Sequence, residues 1–92
     1  MPQIYVNPEK LKAFSQELKN FISFIESIGV MTNSQLYLLR ESWRDEQYDR
    51  FKEQFDKTMK LLQSFSETAL KESLFLEKKA KDLEDYMKHK SF

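Results

Sequence analysis

The chain has 92 residues, and its 15 basic residues balance its 15 acidic residues to a formal net charge of zero. This length allows one small domain, and the charge balance gives no electrostatic reason to expect a nucleic acid or an anionic membrane as partner. The lack of Cys and the single histidine, His89, argue against disulfides, His-based catalysis and a metal cluster. With one Gly and two Pro there is no phosphate-binding loop. We therefore expect no enzyme activity, cofactor or metal.

The sequence also shows no segment that inserts into a membrane. No run approaches the roughly 18 to 20 apolar residues that cross a bilayer. The first six residues lack the charged-then-apolar pattern of a cleaved signal peptide. We expect a soluble chain that, if exported, leaves its cell without such a signal.

A first helix is predicted at about residues 8–42, after a short extended lead-in. Asn7 can cap the helix and Pro8 suits its first position. Near Thr32 the apolar pattern slips, as if four residues had been inserted into the heptads. Gly29 allows a broken helix or a continuous one, and the apolar residues on both sides favour the continuous helix. The spacing of three and four predicts a seam facing a partner helix at Leu11, Phe14, Leu18, Phe21, Ile25 and Ile28.

A turn at about residues 43–45 and a second helix at about 46–88 follow. Asp45 is the predicted N-cap, and no Gly or Pro interrupts the helix. Together the two helices predict an all-α, antiparallel helical hairpin that forms a single domain over residues 1–92. The predicted seam of the second helix contains Tyr48, Phe51, Phe55, Met59, Leu62, Phe65, Ala69, Ser73, Leu76, Ala80, Leu83 and Met87.

The first helix is apolar on more than one face, so a lone hairpin leaves apolar surface exposed. The sequence therefore predicts a dimer in which two hairpins form a four-helix bundle, chiefly through their first helices. A homodimer and a heterodimer with a similar hairpin protein both satisfy this requirement. The predicted dimer interface comprises Phe14, Leu18, Phe21, Ile22, Phe24, Ile25 and Ile28.

The turn is the one region whose residues are not fully explained by ordinary helix packing. Trp43, the only Trp, lies next to the chain reversal, where it can close the open end of the hairpin. The core beside the turn is predicted to contain Leu39, Tyr48, Phe51 and Phe55. The acidic residues elsewhere fit solvated helix faces better than a catalytic pair.

These features resemble the WXG family, small secreted helical hairpins of about a hundred residues that include the early secreted antigenic target proteins. The resemblance rests on the length, the mid-chain Trp43, the aromatic-rich segment 48–55 and the lead-in 4–11. It departs at Asp45, where the family usually has Gly. Many members also carry Tyr followed four residues later by an acid after the second helix, whereas Tyr86 is followed by Lys90.

The resemblance implies a substrate or co-secreted partner of a type VII-like, ATPase-driven secretion system, held in the bacterial cytoplasm before export. Trp43, Arg44 and Asp45 would form the exposed turn that the secretion machinery recognises. The departures at Asp45 and Lys90 leave an alternative open. In that case the chain is a cytosolic adaptor or chaperone for a larger toxin effector or secretion component, and is not itself exported.

Overall fold

In the computed structural model, which describes residues 6–90, the chain forms two long helices joined by a tight turn. Helix α1 spans Pro8–Leu39 and helix α2 spans Glu46–Lys90, and residues 6–90 contain no strand. The helices run antiparallel in a rod of 72 × 23 × 16 Å. This confirms the predicted all-α helical hairpin, while residues 1–5 of the predicted extended lead-in lie outside the described range.

Helix α1 begins at the predicted cap. The Asn7 Oδ1 atom accepts a hydrogen bond from the Glu9 N–H at 2.9 Å, and Pro8 is the first helical residue. The cap satisfies an N–H that has no partner inside the helix. The helix then continues through Gly29 without a break, the alternative that the sequence favoured.

Helix α1 ends at Leu39, before the predicted end near residue 42. Its last turn tightens, because the Arg40 N–H donates to the Tyr37 carbonyl at 3.2 Å and the Glu41 N–H donates to the Leu38 carbonyl at 3.0 Å. These bonds join residues three apart, as in a 3₁₀ turn, and they allow the chain to reverse direction over residues 40–45.

The seam of α1 is displaced by one residue from part of the prediction. Phe14, Phe21 and Ile28, predicted to face the partner helix, are about half exposed. The prediction was wrong there because Ser15 and Gly29 occupy seam positions, so the larger apolar neighbours dominated the pattern. One unbroken register also replaces the predicted slip. The buried or half-buried seam residues are Leu11, Ser15, Leu18, Ile22, Ile25, Gly29 and Leu36.

The seam of α2 follows the prediction over much of its length. Phe51, Phe65 and Met87 differ from the prediction, since all three are about half exposed, and Ser66 is buried instead of Phe65. Small side chains at Ala69, Ser73 and Ala80 are almost fully buried, which fits a close approach of the two helices. The other buried or half-buried apolar seam residues are Tyr48, Phe55, Met59, Leu62, Leu76 and Leu83.

Candidate functional site

Asp45 caps helix α2 at the turn. Its Oδ1 atom accepts hydrogen bonds from the Gln47 N–H at 2.9 Å and the Tyr48 N–H at 3.1 Å. Both are N–H groups of the first helical turn, which lack partners within the helix. The negative charge also suits the positive end of the helix dipole. Asp45 therefore performs a local role that explains an acid at this position.

Tyr48 ties the start of α2 to the end of α1. Its hydroxyl donates to the Leu36 carbonyl at 3.0 Å, and its side chain is buried. In a regular helix that carbonyl would accept from the Arg40 N–H, which here donates to Tyr37 instead. The phenol thus satisfies a carbonyl that the tightened turn leaves without a backbone donor.

Trp43 lies over the turn as part of an aromatic cluster. Its ring meets Tyr48 edge-on with centroids 5.6 Å apart, and it lies 6.1 Å from the Phe51 ring. Phe51 in turn stacks on Phe55 at 6.5 Å. Trp43 is half-buried, so its ring packs on Tyr48 and Phe51 while part of its surface stays exposed.

The structure brings the predicted turn residues together but gives them different surroundings. Arg44 is exposed and its Nε donates to the Arg40 carbonyl at 3.3 Å, while the Asp45 side chain is held by α2. Of the residues predicted as core beside the turn, Tyr48 is buried and Phe55 half-buried, whereas Leu39 is exposed, like Phe51.

A layer of two serines lies in the seam, and the sequence did not predict this contact. The hydroxyl oxygens of Ser15 and Ser73 are 2.9 Å apart, and each also lies within hydrogen-bond distance of the other residue's carbonyl oxygen, at 3.0 and 3.2 Å. Both residues are fully buried. Because a buried hydroxyl is costly without a partner, this reciprocal set favours one alignment of the helices. The only sequence signal was Ser73, which occupies a predicted seam position of α2, whereas Ser15 is not in the predicted seam of α1.

One side of the hairpin carries ion pairs between the helices. Lys12 bonds Glu84 at 2.6 Å, and Lys19 bonds Glu77, which also accepts from the Ser15 hydroxyl at 3.1 Å. The hydrogen bond from Lys19 holds the pKa of the Glu77 carboxyl below its ordinary value, with a further contribution from Ser15, while desolvation opposes the shift. We call this side the charged flank; on α1 it includes every seventh residue from 12 to 33.

The other side carries an exposed apolar surface, which we call the apolar face. Phe21 packs edge-on against Phe65 across the two helices, with ring centroids 6.2 Å apart. The row of side chains on α1 that contains Phe21 therefore lies on the same side of the hairpin as the row on α2 that contains Phe65. Residues three and four positions from these rows extend the surface. The exposed members are Phe14, Phe21, Phe24, Ile28, Met31 and Leu38 on α1 and Phe51, Leu61, Phe65 and Phe75 on α2.

The predicted dimer residues divide between the apolar face and the seam within the hairpin. Phe14, Phe21, Phe24 and Ile28 belong to the apolar face and are available to a second chain. Ile22 is buried against α2 within the same chain. Leu18 and Ile25 are half-buried in the same seam. A contiguous exposed apolar surface of this kind marks an interaction site.

Residues 6–90 contain no group of three or more side chains that could hold a metal ion. Within the same range, neither helix is long and apolar enough to cross a bilayer.

Comparison with solved structures identifies the fold. The chain matches the secreted protein EsxB from Bacillus anthracis str. Sterne with a TM-score of 0.82 and 19% identity, over 94% of this chain and 98% of EsxB. Two variants of that protein match with TM-scores of 0.82 and 0.81 and identities of 20% and 19%. They cover 94% and 92% of this chain, and 96% and 98% of the EsxB chains. No protein-family model and no curated protein sequence matches. The predicted resemblance to WXG-type hairpins is confirmed as a resemblance of fold.

Proposed function

We propose that this chain is a non-enzymatic, WXG-like hairpin that dimerises and serves as a substrate or co-secreted partner of a type VII-like secretion system. The observation that carries the proposal is the match of almost the entire hairpin to EsxB, a secreted protein of nearly the same extent. In this view the chain is held in the bacterial cytoplasm and then released without a cleaved signal peptide.

The apolar face supports the dimer. A single two-helix hairpin covers each helix on one side only, and Phe24 keeps 63% of its surface exposed. Pairing two apolar faces would remove these phenyl rings from water and complete a four-helix bundle. The partner is a second copy or a similar hairpin protein, and we propose that Phe14, Phe21, Phe24 and Ile28 form the centre of the contact.

The turn is the proposed recognition surface for the secretion machinery. Trp43 offers a half-exposed aromatic ring and Arg44 an exposed guanidinium, on a loop that Asp45 fixes by capping α2. A rigid loop loses little conformational entropy on binding, which favours recognition. Two-fold pairing of antiparallel hairpins would place one such turn at each end of the rod.

Export is tested by tagging the chain in the bacterium that encodes it. Culture supernatant and cell lysate are compared with and without the secretion ATPase, beside a cytosolic marker that reports lysis. The proposal requires the chain to appear outside the cell only when the ATPase is present. Strict retention in both strains, with the lysis marker absent from the supernatant, contradicts it.

A second candidate function follows from the end of α2. Tyr86 is followed at the fourth position by Lys90, not by the acid that many WXG-type proteins carry there. This favours a cytosolic adaptor or chaperone that holds a larger effector and is not exported itself. Retention in the assay above, together with recovery of one defined effector on the tagged chain, supports this alternative.

A further inference from the structure

A groove opens on the charged flank, where α1 lacks a side chain. Gly29 leaves its floor open, and a Cβ atom at this position would lie 3.5 Å from the Met59 Sδ atom. The groove has a volume of about 590 Å³ and a mostly apolar lining. Ile25 and Leu62 contribute to its walls, and Val30 stands beside it with 69% of its surface exposed. The cavity therefore offers apolar surface on the side of the hairpin away from the apolar face.

The two acidic residues that line this groove make no ion pair within residues 6–90. Along the charged flank, Lys12 pairs with Glu84 and Lys19 pairs with Glu77. The next residue of the same α1 row, seven positions after Lys19, is Glu26, an acid instead of a lysine. Glu26 lines the groove together with Glu67. Neither carboxylate makes an ion pair within residues 6–90. The cross-helix ion pairs thus stop where the groove begins, and two carboxylates remain available for an external cation.

Ser66 is a buried polar residue of the α2 seam beside this groove. The residue contributes to the lining of the groove, while its Oγ atom is buried and makes no hydrogen bond within the described residues. Buried hydroxyls in proteins almost always have a partner. On the same seam, by contrast, the buried hydroxyls of Ser15 and Ser73 lie within hydrogen-bond distance of each other.

We propose that this groove docks a helix of a partner protein that presents one large apolar side chain flanked by Lys or Arg. The apolar side chain would enter the space above Gly29, and the cations would pair with Glu26 and Glu67. The proposal goes beyond the export function. A dimer formed through the apolar face leaves the opposite flank open, so the dimer and this partner can coexist.

A second copy does not suit this groove as well as a basic partner. A two-fold symmetric contact brings the same surface of each chain together. Glu26 and Glu67 of one chain would then approach the same carboxylates of the other, and like charges oppose association. A cationic helix from a different protein removes this conflict.

The probe is a synthetic amphipathic peptide of about 20 residues, long enough to form a helix, with one central Phe and Lys three and four positions from it. Binding to the full chain is followed by fluorescence anisotropy and by the amide resonance of Gly29, the only glycine. We expect saturable binding that shifts this resonance and weakens with added salt. A twin peptide with Glu in place of Lys is expected not to bind.

Matched variants locate the contact. Glu26→Gln combined with Glu67→Gln should weaken peptide binding about tenfold, since two screened ion pairs are lost. Asp82→Asn combined with Asp85→Asn makes the same charge change on exposed residues outside the groove and should leave binding unchanged. Val30→Gln on α1 should also weaken binding, whereas Leu61→Gln, at an exposed position of the apolar face on α2, should not.

Several outcomes would overturn the proposal. The proposal is wrong if no peptide binds or if the two peptides bind equally. It is also wrong if the two charge-neutralised variants have equal effects, or if peptide binding dissociates the dimer. Binding of a small apolar dye without peptide binding would show a small-molecule pocket and would also overturn it. Because the groove variants are expected to remain dimeric and to behave as the unmodified chain does in the export assay, failure here is distinguishable from failure of the export proposal.

Discussion

The Tyr48 hydroxyl donates a hydrogen bond of 3.0 Å to the Leu36 carbonyl and so joins the beginning of α2 to the end of α1. The bond compensates for the tightened end of α1, where the backbone donor expected for this carbonyl points elsewhere. A turn built in this way needs no residue with a positive φ, and none occurs among the described residues. This explains how the hairpin forms without a glycine at the turn.

Tyr48→Phe should lower the free energy of unfolding by about 1 to 3 kcal/mol, because it leaves a buried carbonyl without a donor. Urea denaturation followed by circular dichroism measures the change. Tyr37→Phe is the control, since Tyr37 is exposed and its loss of a hydroxyl should have little effect. Equal effects of the two changes would show that the bond to Leu36 does not stabilise the turn.

Asp45→Ala should destabilise the chain by about 1 kcal/mol, because two N–H groups of α2 lose their acceptor. Asp45→Asn keeps a side-chain oxygen and should be nearly neutral, and Asp45→Gly should cost only a few tenths of a kcal/mol. The three variants are compared by thermal and urea unfolding. If all three lose the same stability, the cap is not the reason for Asp at this position.

Ser15→Ala and Ser73→Ala should each destabilise the hairpin by about 1 to 2 kcal/mol, but the double variant should lose less than the sum. Each single change already removes the contact between the two hydroxyls, so the double change loses that contact only once. Ser66→Ala is the control, because its buried hydroxyl makes no hydrogen bond within residues 6–90 and its removal should be neutral or stabilising. Additive losses at Ser15 and Ser73 would contradict the coupling.

The serine layer also shows what the sequence pattern could and could not predict. The two helices, the cap at Asn7 and the cap at Asp45 depend on neighbouring residues, so local chemistry was sufficient. The seam of α1 depends on which residues α2 covers, and a pattern search follows large apolar side chains. It therefore selected Phe14, one residue from the buried Ser15, and had no means of detecting a hydrogen bond across 58 positions.

The groove was missed for a related reason. Gly29 was interpreted only as a soft point in the helix, because glycine lowers helix propensity. Its effect on the surface depends on the residues opposite it, and Met59 comes from the other helix. Glu26 and Glu67 likewise looked like ordinary solvated acids, since the sequence does not show which acids pair across the hairpin.

Stability should fall on acidification in part through Glu77. Its folded-state pKa lies below its ordinary value, so the carboxylate contributes stability fully above that ordinary value. As the pH falls below the ordinary value, the Glu77 carboxyl is protonated in the unfolded chain before it is protonated in the folded chain. The contribution therefore declines over this range and is gone once the pH lies below the folded-state pKa. Urea midpoints measured from neutral pH down to about 3 should therefore decline less steeply for Glu77→Gln than for the unmodified chain.

Glu17→Gln is the matched control for this pH dependence. Glu17 is exposed and makes no side-chain hydrogen bond or ion pair within residues 6–90, so its removal should leave the acid decline unchanged. Identical slopes for the Glu77 and Glu17 variants would contradict a role for the contact with Lys19. Added salt should reduce the effect of Glu77→Gln, because the ion pair is partly exposed.

Phe24→Asp should abolish dimerisation. The Phe24 side chain is exposed in the single hairpin, so the substitution leaves the seam between α1 and α2 intact. In a dimer it would place an unpaired charge among apolar side chains, which is costly. Ile25→Asp is a less selective test, because Ile25 is half-buried in the hairpin itself. Sedimentation equilibrium measures the dissociation constant of each variant.

Val30→Asp is the control, since Val30 is equally exposed but lies on the opposite flank beside the groove. The proposal requires this variant to remain a dimer while the Phe24 variant does not. If the hairpin is stable only as a dimer, Phe24→Asp will unfold at low concentration. The unmodified chain must then show an unfolding temperature that rises with protein concentration. A dimer that survives Phe24→Asp, or that Val30→Asp disrupts equally, would show that the apolar face is not the interface.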